Sequence, residues 1–232
     1  MHNKHSGRSA SVRQTYGVHE VQSDEQVRSA YDATADEYAG AFRCTEPEQP
    51  VELAMVNHFA GSLRGQRKVL DAGCGAGRFL PVLASLCCEV EGLDLSPGMI
   101  RNARADHPSF ATQVGTLREL PFEDASFDGY FSWYSTIHSV NQDLQDLLRE
   151  AHRVLRPGGS ILVAFQSGDG VQDLSESYRR RGYDLSLLRY LRSHERMALD
   201  LTSAGFTVTA RLERGPVGDQ EIGNQAVLIA TR

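Results

Sequence analysis

Short apolar runs alternate with longer amphipathic segments along the chain, and these two patterns predict strands and helices respectively. Five buried strands are predicted, in KVLDA (68–72), CEVEGLDL (88–95), FATQVG (110–115), FDGYFSW (127–133) and SILVAFQ (160–166). This alternation is typical of right-handed crossovers in a mostly parallel sheet. Two further strands, in FTVTARLER (206–214) and NQAVLIATR (224–232), are joined only by a loop. We therefore expect an α/β fold that ends in an antiparallel hairpin, with ligands bound at the carboxyl ends of the strands.

A helix is predicted before the first strand, in residues 23–42. Ser23 is a suitable N-cap, and Gln26, three residues later, completes a capping box. Tyr31 and Tyr38 are seven positions apart in this segment, so both rings are expected near one face of the helix. The helix therefore has an aromatic face that can pack on the main domain or on a ligand.

The predicted elements divide the chain into three parts. We expect residues 1–22 to be a flexible tail, residues 23–48 a helical lid, and residues 49–232 the main domain. Residues 166–192 form a long connection between the fifth strand and the last helix, and loops of this length usually have a function. The run Arg179–Arg181 in this connection suggests either recognition of a carboxylate or phosphate, or a solvated cationic surface.

Composition excludes several classes of protein. The chain has 232 residues and a net charge of −6, which argues against a general nucleic-acid binder with a basic face. No segment approaches the roughly 20 apolar residues of a membrane span. The four cysteines form no CxxC pair, so neither a zinc site nor a disulfide framework is predicted. The first residues lack the apolar core of a secretory signal, and we expect a cytoplasmic protein.

The first strand leads into a glycine-rich loop, VLDAGCGAGRF (69–79). A P-loop would need Lys and Ser or Thr after its last glycine, but Arg78 and Phe79 follow. A dinucleotide fingerprint would need glycine at position 78, and its third glycine comes one residue early, at Gly77. Asp71 would also repel a pyrophosphate. The loop therefore suits a ligand that carries a positive group.

S-adenosylmethionine (SAM) is such a ligand, because it has a zwitterionic amino-acid end and a cationic sulfur. Backbone N–H groups of the loop can bind its carboxylate, and an acidic residue can bind its ammonium group. Asp94 lies 21 residues after Gly73, at the distance where an acidic side chain reaches a ribose diol. This second feature is shared by nicotinamide dinucleotide sites, so only Asp71 and the glycine spacing distinguish the two.

Four segments, VLDAGCGAGRF, EVEGLDLSPGMI, LPFEDASFDGYF and REAHRVLRPGGSILVAF, in this order, resemble the class I SAM-dependent methyltransferases. They resemble in particular the small-molecule branch called methyltransferase type 11, and the similarity covers about residues 51–232. The resemblance implies a Rossmann-like, doubly wound, seven-stranded sheet, mostly parallel with an antiparallel last strand. It also implies that the segment 166–192 shapes the substrate pocket.

The resemblance implies where the cofactor binds. The glycine loop would hold its methionine end, Asp94 its ribose, and Leu95 and Met99 its adenine. The family usually has Asp where this chain has Thr116, so the adenine contact is expected to shift toward the Leu117 backbone. YDATADEY (31–38) is similar to a segment that folds over the cofactor in related proteins, although simple helix packing is an alternative. The predicted cofactor-binding residues are Tyr31, Tyr38, Asp71, Gly73, Cys74, Gly75, Asp94, Leu95, Met99, Thr116, Leu117 and Ser132.

The loop after the fourth strand, SWYSTIHSV (132–140), is expected to face the transferred methyl group. Tyr134, together with Trp133, can line the substrate pocket, because aromatic faces tolerate a sulfonium. His138 is predicted either as a general base or hydrogen-bond partner of the substrate, or as a residue that orients the loop. Cys74 is not expected to act as a nucleophile, because no base lies near it in sequence.

These observations predict a SAM-dependent methyltransferase that modifies an O, N or C atom of a small metabolite, in bacterial secondary metabolism, with S-adenosyl-L-homocysteine as the second product. Two alternatives stay open: methylation of tRNA or protein, and a SAM-binding protein of this fold with a non-methylating reaction. We expect a small-molecule substrate, no nucleic-acid or membrane partner, no metal, and a possible homodimer.

Overall fold

The computed structural model describes residues 22–218 and 221–232, so nearly all of the predicted N-terminal tail (1–22) lies outside the described residues. The strands are β1 (Lys68–Ala72), β2 (Glu89–Asp94), β3 (Ala111–Val114), β4 (Phe127–Trp133), β5 (Leu155–Ser167), β6 (Gly170–Asp173), β7 (Leu188–Leu191), β8 (Thr207–Arg214) and β9 (Asn224–Thr231). The helices are α1 (Asp24–Ala41), α2 (Pro50–Ser62), α3 (Leu80–Ser85), α4 (Pro97–Asp106), α5 (Asn141–Val154), α6 (Ser175–Arg180) and α7 (His194–Ser203).

Seven strands form one sheet in the order β3-β2-β1-β4-β5-β9-β8. Strands β1 to β5 pair in parallel, whereas β9 is antiparallel to both of its neighbours. The predicted fold, a doubly wound and mostly parallel sheet with an antiparallel last strand, is therefore confirmed. The strand order reverses between β1 and β4, and a sheet of this kind binds its ligand in the crevice at such a reversal.

Two apolar layers cover the faces of the sheet. Strand β4 is buried along its whole length because its side chains enter both layers in alternation. Phe127 and Tyr130 lie in the layer under α5 and α7, and Phe131 lies in the opposite layer beside Phe59 of α2. Each such ring contributes about 1.5–3 kcal/mol through burial. The rigid centre of the sheet thus carries the loop that follows β4.

Helices α1 and α4 begin with a side-chain cap, and the cap of α1 was predicted. The Ser23 side chain caps α1, and Gln26 completes the capping box. The Ser96 side chain accepts a hydrogen bond from the Met99 N–H at the start of α4, where Pro97 is the first helical residue. Both helices are therefore positioned by short polar residues at their N-termini.

The segment 166–192 is more ordered than a long loop. Strands β6 and β7 pair antiparallel and enclose the short helix α6. The Tyr190 N–H donates to the Ile137 carbonyl at 2.8 Å, so this small sheet is fixed to the loop after β4. Within residues 22–218 and 221–232, no helix has the length and apolar composition needed to cross a bilayer.

Candidate active site

An open cavity lies at the carboxyl ends of the central strands. The predicted site residues that line it are Tyr31, Tyr38, Gly73, Gly75, Asp94, Leu95, Met99, Thr116, Leu117, Tyr134 and His138. Asp71 and Cys74 line a smaller adjoining cavity together with Gly73 and Gly75. Ser132 lines neither of these cavities.

The glycine loop requires its glycines for two reasons. Gly73 has φ of +79°, and a Cβ there would lie 2.2 Å from the Ser135 Cβ, so no other residue fits. Gly75 has φ of +55°, which favours glycine, and a Cβ there would make an ordinary contact with the Tyr38 ring at 3.7 Å. The loop is therefore in close contact with the segment after β4 on one side and with α1 on the other.

The N–H groups of this loop hold the loop itself. The Gly73 and Cys74 N–H groups both donate to the Leu93 carbonyl, at 2.7 and 3.0 Å. The Gly75 N–H donates to an Asp94 carboxylate oxygen at 2.8 Å. The expectation that these N–H groups bind a ligand carboxylate is therefore wrong for Gly73, Cys74 and Gly75, because the tight turn already satisfies them.

Asp94 lies at the end of β2 with its two oxygens in separate hydrogen bonds. One oxygen accepts the Gly75 N–H, and the other accepts the Ser96 N–H at 2.9 Å. Burial raises the pKa of Asp94, and these backbone hydrogen bonds oppose the rise. The carboxylate is thus fixed in orientation at the wall of the cavity.

Asp71 is a buried carboxyl group that is only partly compensated, by the charge of Arg78. Its Oδ2 has no hydrogen-bond partner among the described residues. Burial, and secondarily the charge of Asp94, raise its pKa to about 8, so it is mostly protonated at neutral pH. The binding of a cation beside a buried acidic group is therefore favourable, because the cation compensates its negative charge.

Cys74 packs away from the main cavity. Its sulfur lies against β2, where a Cβ on Gly92 would come within 2.9 Å of it. Burial raises the pKa of the Cys74 thiol well above its usual value, so it stays a thiol at neutral pH. Both observations agree with the expectation that Cys74 is not a nucleophile.

Helix α1 lies across the start of α4 and is joined to it by Asp32, which sequence reasoning missed. One Asp32 oxygen accepts hydrogen bonds from the Gly98 N–H, at 2.8 Å, and from the Ser96 hydroxyl. Ala35 packs so closely on Gly98 that an added Cβ would lie 2.9 Å away. These contacts place the Tyr31 and Tyr38 rings, 6.1 Å apart, over the cavity.

Helix α1 brings an acidic side chain, Asp24, next to Thr116. The Thr116 hydroxyl donates to Asp24 Oδ2 at 3.1 Å. Arg118 contacts the other Asp24 oxygen at 3.0 Å and Asp143 at 2.7 Å, so the Asp24 carboxylate is held beside Leu117. Asp24 and Arg118 could not be recognised in the sequence, because they come from separate elements.

His138 is buried between two defined partners. Its Nδ1 lies 2.6 Å from the Leu188 carbonyl, which can only accept, so Nδ1 carries the proton. Its Nε2 therefore accepts the Tyr31 hydroxyl, 2.9 Å away. Burial lowers the pKa of His138 to about 4, so the imidazole is neutral at physiological pH.

The loop after β4 places its side chains in different environments. Ser132 is fully buried, and its hydroxyl contacts the Ser135 hydroxyl at 2.7 Å, so Ser135 and not Ser132 reaches the cavity. Tyr134 adopts φ of +57°, and its hydroxyl donates to Gln225 at 2.8 Å. The Tyr134 ring lines the cavity, while its hydroxyl is already satisfied and is not free to act as a base.

Trp133, which was predicted to line the substrate pocket, lines the cavity. Several other lining residues were not predicted: Gln22, Asp24, Val27, Arg118, Ser135, Ser139 and Leu147. Ser135 and Ser139 lie within the segment 132–140, so the segment was recognised although these side chains were not singled out. The residues from α1 and α5 reach the cavity only through tertiary packing.

Residues 70–163 match a family model described as a methyltransferase domain, type 11. The malonyl-[acyl-carrier protein] O-methyltransferase of Erwinia billingiae (strain Eb661) is 37% identical over 57% of this chain and 52% of that protein. The O-methyltransferase rstn1 of Aspergillus nomiae is 33% identical over 55% of this chain and 61% of that protein. The chain spans about half the length of the curated relatives it matches.

A solved structure with a similar fold is the 1,6-didemethyltoxoflavin-N1-methyltransferase of Burkholderia thailandensis, with bound 1,6-didemethyltoxoflavin and S-adenosylhomocysteine. It has a TM-score of 0.69 and 20% sequence identity, and the alignment covers 90% of this chain and 88% of that one. At this identity the likeness shows the fold alone. Residues 70–163 therefore resemble a type 11 methyltransferase domain, and the sheet has the topology of a SAM-dependent methyltransferase fold.

Proposed function

We propose that this chain binds SAM in the cavity and transfers its methyl group to a nucleophilic atom of a small acceptor molecule. The observation that carries the proposal is the shape of the cavity. One continuous space joins Asp94 and the glycine loop to the Tyr134 and His138 side chains. Such a space can hold a donor and an acceptor side by side.

The residues of the site fit this cofactor. The unpartnered carboxyl group of Asp71 lies beside the glycine loop, where a ligand ammonium group would compensate it. The fixed carboxylate of Asp94 suits a ribose diol. Leu95 and Met99 supply apolar wall beside Asp94, as a purine ring requires. Gly73, Cys74 and Gly75 would act by shape and not by donating N–H groups.

Bound SAM supplies a methyl group on a cationic sulfur, and an in-line displacement by the acceptor then yields S-adenosylhomocysteine. The protein must hold the acceptor and exclude water. Helix α1 covers the cavity through Tyr31 and Tyr38. His138 orients the Tyr31 hydroxyl, because its Nε2 accepts that proton, and the remaining lone pairs of Tyr31 can receive a hydrogen bond from the acceptor.

We propose an oxygen atom as the methyl acceptor, since two relatives that match this chain are named O-methyltransferases. We further propose a small metabolite of bacterial secondary metabolism, which rests on the resemblance to the type 11 branch. A cytoplasmic location and a homodimer are likewise predictions from the sequence. The negative net charge of −6 supports a small-molecule acceptor over RNA.

Calorimetry with SAM and with S-adenosylhomocysteine tests the cofactor. We expect wild type to bind both, and Asp94→Ala to lose at least tenfold in affinity, because a buried charged hydrogen-bond partner contributes about 1.5–3 kcal/mol. Wild-type protein that fails to bind either compound would contradict the proposal.

Incubation with methyl-labelled SAM and separate pools of small metabolites, RNA and protein tests the acceptor. We expect label only in the metabolite pool, and Asp94→Ala is the matched negative control. Label in RNA or protein would show a macromolecular methyltransferase. SAM binding without any label transfer would favour a non-methylating reaction.

A further inference from the structure

One half-buried arginine near the residues that line the cavity has no anionic partner within the described part of the chain. Arg189 lies on β7, and its Nε is buried without a hydrogen-bond partner among the described residues. Its guanidinium makes one hydrogen bond, from Nη1 to the side-chain oxygen of Gln172, at 3.3 Å. A partly desolvated guanidinium with only a neutral, long contact is unfavourable unless an anion joins it.

The other half-buried or buried arginines of residues 22–218 and 221–232 are paired. Each of them contacts a carboxylate or a backbone carbonyl oxygen. Arg214 contacts Glu52 at 3.0 Å, Arg67 donates to two backbone carbonyls, and Arg192 donates to the Ser139 and Tyr190 carbonyls. Arg189 therefore departs from a consistent pattern in this protein.

Arg189 does not itself line the main cavity, but it lies close to residues that do. Its neighbour in β7, Leu188, binds His138 through its carbonyl, and His138 binds the Tyr31 hydroxyl. Burial raises the pKa of Tyr31 well above its usual value and lowers that of His138, and the charge of Arg189 opposes the first change and adds to the second. Arg189 is also close enough to interact with Tyr134. The groups that face it are thus phenols and a neutral imidazole, without a carboxylate.

The exposed run Arg179–Arg181 does not provide an alternative site. Arg179 and Arg180 both contact Glu176 within α6, at 2.5 and 3.1 Å. Arg181 contacts Glu37 of α1 at 2.8 Å. This run is a solvated surface whose charges are already paired, in agreement with one of the two readings of the sequence.

We propose that Arg189 forms an anion subsite that binds a carboxylate or phosphate group of the acceptor substrate. This proposal rests on the proposed function, since it names the class of molecule that enters the same cavity. A planar guanidinium recognises either anion through paired N–H donors, and both the free Nε and the adjacent Nη can supply them. The acceptor would thereby be oriented by its charge before the methyl transfer.

Titration calorimetry with two small anions tests the subsite, using the full chain with and without saturating S-adenosylhomocysteine. The probes are malonate and inorganic phosphate, with neutral malonamide as the uncharged counterpart of malonate. The variants are Arg189→Gln and Arg189→Lys, with Arg180→Gln as the matched control on the exposed surface of the same segment. Thermal melting without ligand is recorded for each variant.

We expect wild type and Arg180→Gln to bind at least one anion, Arg189→Gln to lose at least tenfold in affinity, and Arg189→Lys to lie between them. The anion that binds tells whether the subsite prefers carboxylate or phosphate. We also expect Arg189→Gln to melt at the same or a higher temperature than wild type, because it removes an unpaired charge.

Three results would overturn the subsite: neither anion binds wild type, binding survives unchanged in Arg189→Gln, or malonamide binds as tightly as malonate. A lower melting temperature of Arg189→Gln would assign the arginine to the fold and also overturn the proposal. The titrations are run with and without S-adenosylhomocysteine, so the two proposals can fail separately. Wild type that does not bind S-adenosylhomocysteine would contradict the proposed function. Wild type that binds it but binds neither anion would contradict only the subsite.

Discussion

Replacing Asp71 by asparagine should stabilise the ligand-free protein and weaken its binding of SAM. The carboxyl group is buried, its Oδ2 has no partner among the described residues, and its pKa is raised from 3.8 to about 8. Between these two pH values the folded protein binds more protons than the unfolded chain. The stability of wild type therefore falls as the pH rises through this range.

The magnitude follows from the size of the pKa shift. Each pH unit above 3.8 costs the folded state about 1.4 kcal/mol until the pKa of about 8 is reached. The cost is about 1.6 kcal/mol at pH 5 and about 4 kcal/mol at pH 7. Asp71→Asn removes this cost, and at pH 7 its upper effect on the free energy of unfolding is therefore about 4 kcal/mol.

Urea denaturation of wild type and Asp71→Asn at pH 5, 6 and 7 measures the effect. The difference in the free energy of unfolding should grow with pH, with Asp71→Asn the more stable protein. Asp128→Asn is the matched control, because that buried carboxylate accepts the Lys68 N–H at 3.0 Å and contacts Arg156 at 2.8 Å. This control should lose about 1–3 kcal/mol.

The same variant should bind SAM about tenfold to a hundredfold more weakly, since it lacks the carboxylate that would compensate a ligand ammonium group. A stabilised protein with weakened binding is the combination that the structure predicts. The reasoning is refuted if Asp71→Asn is less stable than wild type at pH 7, or if the difference in stability is the same at all three pH values.

Three further predictions concern the elements around the cavity. The pKa of His138 falls from 6.5 to about 4, so wild type should lose about 3 kcal/mol of its free energy of unfolding as the pH drops from 6.5 to 4. Denaturation of His138→Gln should lack this loss. An equal loss in both proteins would contradict the assignment. Asp32→Ala removes the contacts that hold α1 on α4. Calorimetry should therefore show at least tenfold weaker SAM binding, and denaturation should show a free energy of unfolding about 1–3 kcal/mol lower. Unchanged SAM affinity would mean that α1 does not cover the cofactor. Arg118→Gln breaks a half-exposed contact to Asp24, so the melting temperature should change by only about 2 °C or less. The affinity for SAM should fall severalfold. An affinity equal to that of wild type would exclude Asp24 from the adenine end of the cofactor site.

Much of the fold could be predicted because local signals and the global topology agree. The strand FDGYFSW was predicted with the bounds of β4, since an apolar run of this length is buried on both faces of the sheet. The N-cap Ser23 was also recognised, because this residue and its partner Gln26 are separated by only three positions. Signals of this kind lie within one segment of the chain.

The site was predictable only as far as its contacts are local. The glycine loop was found, but the use of its N–H groups was not, because the Leu93 carbonyl that accepts two of them belongs to another strand. The pairing of Asp24 with Thr116 joins residues 92 positions apart, and no pattern along the chain marks it. The segment 166–192 was recognised by its length. Its strands β6 and β7 were not predicted, because they are short and form a separate two-stranded sheet.

Asp71 and Arg189 together explain why the ligand-free site should be less stable than its surroundings. Among the described residues, Asp71 Oδ2 and Arg189 Nε are buried and have no hydrogen-bond partner, and Asp71 has only partial compensation from the charge of Arg78. Asp71 lines the smaller cavity, and Arg189 lies close to Tyr31 and Tyr134, which line the main one. Ligands that bind only the folded protein stabilise it by mass action, so a cationic donor and an anionic acceptor would each compensate one of these groups. The double variant Asp71→Asn, Arg189→Gln tests whether the two act separately. Its gain in stability should equal the sum of the single gains within about 0.5 kcal/mol. A gain well below that sum would show that the two groups already interact in the ligand-free protein and do not serve two different ligands.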